Sequence, residues 1–214
     1  MLTSSNLRSM ARGEYDAIII GSGQGGVPLA KAYAKAGKRV AIVEGADVGG
    51  SCINYGCTPS KTLAHIAKVA HTVRRSSEYG VHSSKPTVDM AEVHRLKIQI
   101  VEEFRGDIEK DLVESGVELI RGEASFAGQR QLKVVSPNGE TSKFSATAIF
   151  VDTGVRSFIP DIEGLGDVPF LDNKSILDLA TLPESLIVLG GGYIGLEFAQ
   201  MFARFGSKVT VIEH

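Results

Sequence analysis

Cys52 and Cys57 are the only two thiols in the chain, and they lie in GGSCINYGCTPSK (49–61) as a C-x4-C. Two chemistries suit such a pair. The first is thiol–disulfide exchange, because a bridge in a chain read as cytosolic is of the catalytic kind rather than the structural one. In a regular helix, residues five apart have Cα atoms about 8.6 Å apart, beyond the roughly 7 Å that a disulfide tolerates. The segment is therefore expected to be distorted, at Gly56 or Pro59. A strained bridge at a helix start would be labile, with thiolates stabilised by helix amides. The second chemistry is metal binding. Cys52, Cys57, His65 and His71 form C-x4-C-x7-H-x5-H, with a middle spacing short of the about twelve residues of a zinc finger. Inert buried cysteines are a third reading. His82, His94 and the Arg74-Arg75 pair read as solvated side chains.

Glycine supplies the other chemistry. Gly21, Gly23 and Gly26 form a G-x-G-x-x-G, Glu44 follows about twenty residues later, and an apolar run (18–20) precedes the turn. Such glycines permit a tight turn and close backbone approach to a pyrophosphate, whose charge the helix N-terminal amides stabilise. Glu44 is placed to accept hydrogen bonds from a ribose hydroxyl pair. The pattern occurs twice. At an offset of 169, Gly21, Gly23, Gly26 and Glu44 fall on Gly190, Gly192, Gly195 and Glu213. Two such units imply two dinucleotides, and hence hydride transfer between a nicotinamide and a flavin. Glu213 favours NAD(H) over NADP(H), since a carboxylate there repels a 2′-phosphate.

The elements that must position these residues follow from the same alignment. Each copy reads as strand, glycine turn, helix and parallel strand, the opening of a doubly wound sheet. Gly37 and Gly206 sit where helix C-terminal glycines belong. Between the copies, residues 59–76 read as a helix. A second helix starts after Asp89, with Glu92 as its capping-box partner and Val93, Leu96, Ile100, Phe104, Ile108 and Leu112 as its apolar stripe. Strands are expected from Val117 to Val151, with Pro137-Asn138-Gly139 as a hairpin turn. Val155 to Pro183 reads as a linker. The fold class is thus α/β, with two Rossmann-like dinucleotide-binding units and an inserted antiparallel β-meander. The second unit is expected to be incomplete, because one strand–helix–strand cannot close a sheet. The expected domains are a polar tail (1–12), an FAD-binding domain with the redox cysteines (13–155), and a linker with the start of an NAD(P)-binding domain (156–214).

Composition sets the outer limits. Hydrophobic residues are 43% and charged residues 22% of the chain, a globular balance. With 23 Lys plus Arg against 25 Asp plus Glu, the net charge of −2 lacks the footprint of a nucleic-acid binder. No apolar run reaches the about twenty residues of a membrane helix, and Met1 to Gly13 has no apolar signal core. A cytoplasmic location is expected.

GSGQGG, GGSCINYGCTPSK, a later DTG (152–154) and GGGYIGLE (190–197) together resemble the class I pyridine nucleotide–disulfide oxidoreductases over residues 14–214. That family includes dihydrolipoamide dehydrogenase, glutathione reductase and mercuric reductase, and the sequence looks closest to the mercuric-reductase-like bacterial flavoproteins. The resemblance implies an FAD-dependent oxidoreductase in which electrons pass from NAD(P)H to FAD, then to Cys52–Cys57, then to a disulfide or metal-ion substrate. It implies that Gly21, Gly23, Gly26 and Glu44 hold the FAD pyrophosphate and ribose. Gly50 and Ser51 would lie on the flavin side of the disulfide, Gly122 and Ala124 at the adenine, and Thr153-Gly154 where the chain returns to FAD. Asp152 departs from the family's alanine. Cys52 matches the thiol that meets substrate, and Cys57 the thiol nearest the flavin. Lys61 and Glu197 match a desolvated ion pair beside the flavin, and Tyr193 a gate over the nicotinamide pocket formed with Gly190, Gly192, Gly195 and Glu213. The family is homodimeric, and its C-terminal dimerisation domain, with an acid/base His–Glu pair, is absent from these residues. The 214-residue chain alone is accordingly expected to bind FAD weakly and to lack turnover. The alternative is a non-catalytic scaffold that binds FAD, or zinc through Cys52, Cys57, His65 and His71.

Overall fold

The structure is a computed structural model and describes residues 13–213; the stretch 1–12, read as a polar tail, lies outside the described residues. The chain forms two compact units. Among the described residues, one comprises 13–50 together with Arg105–Val155, and the other Ser51–Phe104 together with 156–213.

The first unit is built on a six-stranded mixed sheet. Strands β1 (Glu14–Ile20), β2 (Val40–Glu44) and β3 (Glu118–Arg121) are parallel, and helix α1 (Gly26–Lys35) connects the first two. After β4 (Glu123–Gly128) and β5 (Gln131–Val135), β6 (Thr141–Val151) returns parallel to β1, giving the order β3-β2-β1-β6-β5-β4. Strands β4, β5 and β6 pair antiparallel, which is the expected meander. Its second turn lies at Pro137-Asn138-Gly139, where Gly139 has φ +87° and the Ser136 N–H bonds the Glu140 carbonyl at 2.9 Å. The central strands are apolar on both faces because both are covered. Ala17, Ile19, Val40 and Ile42 pack with Ala30 and Leu112, whereas Ile18, Ala41 and Val43 pack with Leu132, Val134 and Ala146.

In the second unit, the short helix α2 (Gly50–Asn54) leads into α3 (Cys57–Arg74). Helix α4 (Met90–Glu114) starts in this unit and ends in the first. Asp89 caps it through Oδ1, which accepts the N–H groups of Ala91 and Glu92 at 3.0 and 3.1 Å. The Glu92 carboxylate does not complete a capping box; it is bonded by Arg95. The expected stripe is also revised. Val93 and Leu112 are buried, but Leu96 and Phe104 are exposed, while Val101 and Lys97 take inner positions. Lys97 is tolerated there because its ammonium lies 3.0 Å from Asp178.

The segment read as a linker is anchored: Ile176 and Leu177 are buried with Leu63, Met90, Phe198 and Phe202. Strands β7 (Ser185–Leu189) and β8 (Lys208–Ile212) pair parallel around helix α5 (Tyr193–Phe205), the strand–helix–strand expected. Two solvated readings are corrected. Arg74 is half-buried and donates to the Phe205 carbonyl at 3.2 Å, satisfying the end of α5. His94 is half-buried, 3.7 Å from Asp178. Among the described residues no helix is long and apolar enough to cross a membrane.

Candidate functional site

The first glycine turn joins β1 to α1, and each glycine has its own steric reason. Gly21 has φ +104°, and a Cβ there would lie 2.2 Å from the Asp152 backbone oxygen, so only glycine lets β1 end against β6. A Cβ on Gly26 would meet the Gly21 oxygen at 2.3 Å and Ile19 Cγ2 at 3.1 Å; its absence seats α1 on β1. Gly50, with φ +61°, brings its own backbone against Gly23, where a Cβ would be 2.7 Å from the Gly23 Cα. The N–H groups of Gly23, Gln24 and Gly25 meet no acceptor among the described residues. Open amides at a helix start, on a turn whose glycines carry no side chains of their own, fit a dinucleotide pyrophosphate.

Glu44 ends β2 with its carboxylate already oriented. Oε2 accepts the Ser22 N–H at 2.9 Å and the Ser22 hydroxyl at 2.6 Å, and Oε1 accepts the Ala46 N–H at 2.9 Å. The Gly49 N–H in turn donates to Ser22 Oγ at 3.1 Å. Ser22, an intervening residue of the turn, is therefore a part of the site that the G-x-G-x-x-G spacing did not mark. Beside Glu44 the chain crosses closely at Gly122, whose N–H bonds the Glu44 carbonyl at 2.9 Å and whose Cβ would meet the Val135 oxygen at 2.5 Å. The Ala124 methyl is partly buried in the adjoining core. Asp152, at the end of β6, accepts the Gly26 N–H through Oδ2 at 2.7 Å, and exposed Thr153 and Gly154 follow it.

The second glycine turn repeats the first in outline. Gly190 has φ +99°, and a Cβ on Gly195 would meet the Gly190 oxygen at 2.5 Å and Val188 Cγ1 at 3.1 Å. The Gly191 N–H donates to the Glu213 carboxylate, as Ser22 does to Glu44. Gly192 is the residue before α5, and Tyr193 projects exposed from the first turn of that helix.

The cysteines flank a break in the helix. Helix α2 stops at Asn54 and α3 starts at Cys57, with Gly56 between them at φ −131°, ψ −115°. This is the distortion that the five-residue separation required. Pro59 sits in the first turn of α3, where its missing N–H costs nothing. Both cysteines are free thiols here, Cys52 half-buried and Cys57 exposed. Burial pushes the Cys52 thiol above the usual range, and its hydrogen bond with Cys57 adds to that. The expected helix-stabilised thiolate is thus not found at Cys52, because it lies within a single short turn and desolvation outweighs the nearby amides. Lys174 adds a contact with no sequence signal, its ammonium 4.1 Å from the centre of the Tyr55 ring.

Lys61 Nζ donates to the Glu197 carboxylate, joining α3 to α5. The pair is present, but it is not desolvated: the Lys61 side chain is 71% exposed and that of Glu197 30%. The Glu197 hydrogen bond raises the ammonium above the ordinary lysine range, with a smaller contribution from Cys57. Cys52, Cys57, His65 and His71 do not converge. Among the described residues no three His, Cys, Asp or Glu side chains are grouped to hold a metal ion.

Comparison with known proteins agrees with this geometry. The sequence pattern of the family described as Pyridine nucleotide-disulphide oxidoreductase matches residues 15–214. A mercuric reductase of Bacillus cereus is 36% identical over 212 residues, covering 99% of this chain and 33% of that protein. A dihydrolipoyl dehydrogenase of Halobacterium salinarum is 39% identical over 203 residues, covering 92% and 42%. Among solved structures, the HOCl-induced flavoprotein disulfide reductase RclA of Escherichia coli, as its Cu(II) complex, superimposes with a TM-score of 0.81 at 37% identity. That match covers 94% of this chain and 43% of RclA. The chain thus spans less than half the length of these relatives. With a turn-and-acid unit used twice and a C-x4-C on a broken helix, the chain belongs to the pyridine nucleotide-disulphide oxidoreductase family.

Proposed function

We propose that this chain is part of an FAD-dependent NAD(P)H oxidoreductase that reduces a disulfide or a thiophilic metal ion through Cys52 and Cys57. The observation that carries the reading is the pair of free thiols flanking the helix break at Gly56. In this reading residues 13–155 hold FAD and residues 156–214 begin the NAD(P) site. Gly21, Gly23 and Gly26 approach the FAD pyrophosphate, Glu44 the ribose, and Gly190, Gly192, Gly195 and Tyr193 the nicotinamide nucleotide. Glu213 at the end of β8 favours NAD(H). Bound FAD would supply two-electron exchange with the nicotinamide and with the cysteine pair.

The chain's own steps are thiol chemistry. Cys52, after losing its proton to solvent, attacks one sulfur of a substrate disulfide, forming a mixed disulfide and releasing the first thiolate. Cys57 then attacks the Cys52 sulfur, closing the Cys52–Cys57 bond and releasing the second thiolate. Two electrons leave the cysteine pair and enter the substrate. A thiophilic metal ion would be held by the same two sulfurs while it is reduced, as the mercuric reductase relatives suggest. Lys61, oriented by Glu197, keeps a cation close to Cys57. The full-length protein is expected to be a homodimer in the cytoplasm.

An anaerobic reductive titration of flavin-loaded protein tests this. Uptake of about four electrons per flavin, falling to about two in Cys57→Ser, supports the reading. Uptake of two electrons by both proteins contradicts it.

A further inference from the structure

Helix α1 has an unusual start. Its N-cap is Gly25, which has no side chain to satisfy the first-turn amides, and its first turn contains no acidic residue. The missing acceptor comes from another element. Asp152, 126 residues later at the end of β6, accepts the Gly26 N–H through Oδ2 at 2.7 Å. The same carboxylate packs along the whole turn. A Cβ on Gly23 would lie 3.2 Å from Oδ2, one on Gly25 3.1 Å from Oδ1, and one on Gly26 3.0 Å from Oδ2. The glycine turn is thus moulded on an acidic side chain, and not on the backbone of β6 alone.

This places a negative group against the turn assigned above to the FAD pyrophosphate, so the inference rests on that reading. We infer that Asp152 is a positioning residue for the flavin nucleotide that acts in two opposed ways. As an acceptor it caps α1 and fixes Gly23–Gly26 in the form that presents open amides. As a carboxylate it opposes the charge of the incoming pyrophosphate and weakens its hold. Acceptor and charge are separable, because an asparagine retains the oxygen that takes the Gly26 N–H and drops the charge.

The test compares the unsubstituted chain with Asp152→Asn and Asp152→Ala, reading FAD affinity from the quenching of flavin fluorescence and the melting temperature of the flavin-free protein. Asp152→Asn is expected to bind FAD at least about threefold more tightly, with an unchanged melting temperature. The gain should shrink as salt is raised. Asp152→Ala is expected to melt about 2–4 °C lower and to bind FAD more weakly than Asp152→Asn, because the cap is lost. FAD binding by the unsubstituted chain with no gain in Asp152→Asn overturns this inference and leaves the flavin reading standing. Absence of FAD binding in all three proteins overturns the flavin reading, and this inference with it. An Asp152→Ala protein that melts and binds like the unsubstituted chain removes the capping half.

Discussion

The two glycine turns share a sequence plan and differ in what surrounds them. In both, a strand ends at a glycine in the left-handed region, the third glycine seats a helix on that strand, and a glutamate at the end of the next strand takes a turn amide. In the first unit, however, a third parallel strand, β6, lies beside β1 and delivers Asp152 to the turn. In the second unit, among the described residues, β7 pairs with β8 and with no other strand. A Cβ on Gly21 therefore strikes backbone at 2.2 Å, while one on Gly190 meets nothing within 4 Å. The same motif is constrained by its neighbours in one place and by its own torsion angle in the other.

Matched substitutions break or sharpen this contrast, and the glycines give the largest expected effect. Gly21→Ala overlaps backbone that cannot move aside, and should cost more than about 4 kcal/mol or prevent the first unit from folding. Gly190→Ala carries only the left-handed penalty, about 1–2 kcal/mol. Urea unfolding of the two variants should separate them clearly, and equal losses would contradict the contrast.

Next come Ile18 and Ile187, which also align at an offset of 169. Ile18 is wholly buried and Ile187 is 64% exposed. Ile18→Ala should cost about 2–5 kcal/mol, and Ile187→Ala no more than about 0.5 kcal/mol.

Ser22→Ala tests the first turn alone. It removes the hydroxyl that holds Glu44 at 2.6 Å, so FAD should bind about tenfold more weakly. Unchanged affinity would mean that Glu44 needs no such orientation.

Alkaline pH probes the first unit through Tyr15. Burial, then the Glu118 hydrogen bond, push its phenol up to about 12. Folding therefore favours the protonated phenol. Its contribution is complete below pH 10 and is lost as pH rises through about 12. Tyr15→Phe should flatten stability over that window, and an unchanged pH profile would contradict the assignment.

A small stability effect is expected for Glu197→Gln. The Lys61 ammonium is largely in water, so the loss should stay within about 1 kcal/mol, even where thiol–disulfide exchange at Cys57 slows. A larger loss on urea unfolding would restore the desolvated pair read from sequence.

What could be read from sequence depended on whether the signal was local. Strand, turn, helix and acid are contiguous, so both units and the break at Gly56 were legible, as was the Pro137–Gly139 turn. Asp152 and Ser22 were not assigned their contacts, because β6 reaches β1 only through sheet pairing and Ser22 is a variable place in the motif. The other hairpin turn contains Arg130 at φ +61°, where glycine or asparagine would have been the signal. Apolar periodicity misplaced the α4 stripe because that helix serves a different unit at each end, and Lys97 replaces an apolar residue through Asp178. Ion-pair contact between Lys61 and Glu197 followed from the family motif; its exposure depended on packing that no motif encodes.

The proposal that Cys52 and Cys57 are a redox pair is tested most directly by counting thiols in flavin-loaded protein, by alkylation and mass measurement. The air-oxidised protein should carry no alkylated cysteine, and reduction by a single two-electron equivalent of dithionite should expose both Cys52 and Cys57. Two free thiols in the air-oxidised protein, or a reduced flavin with the cysteines still bridged, would contradict it.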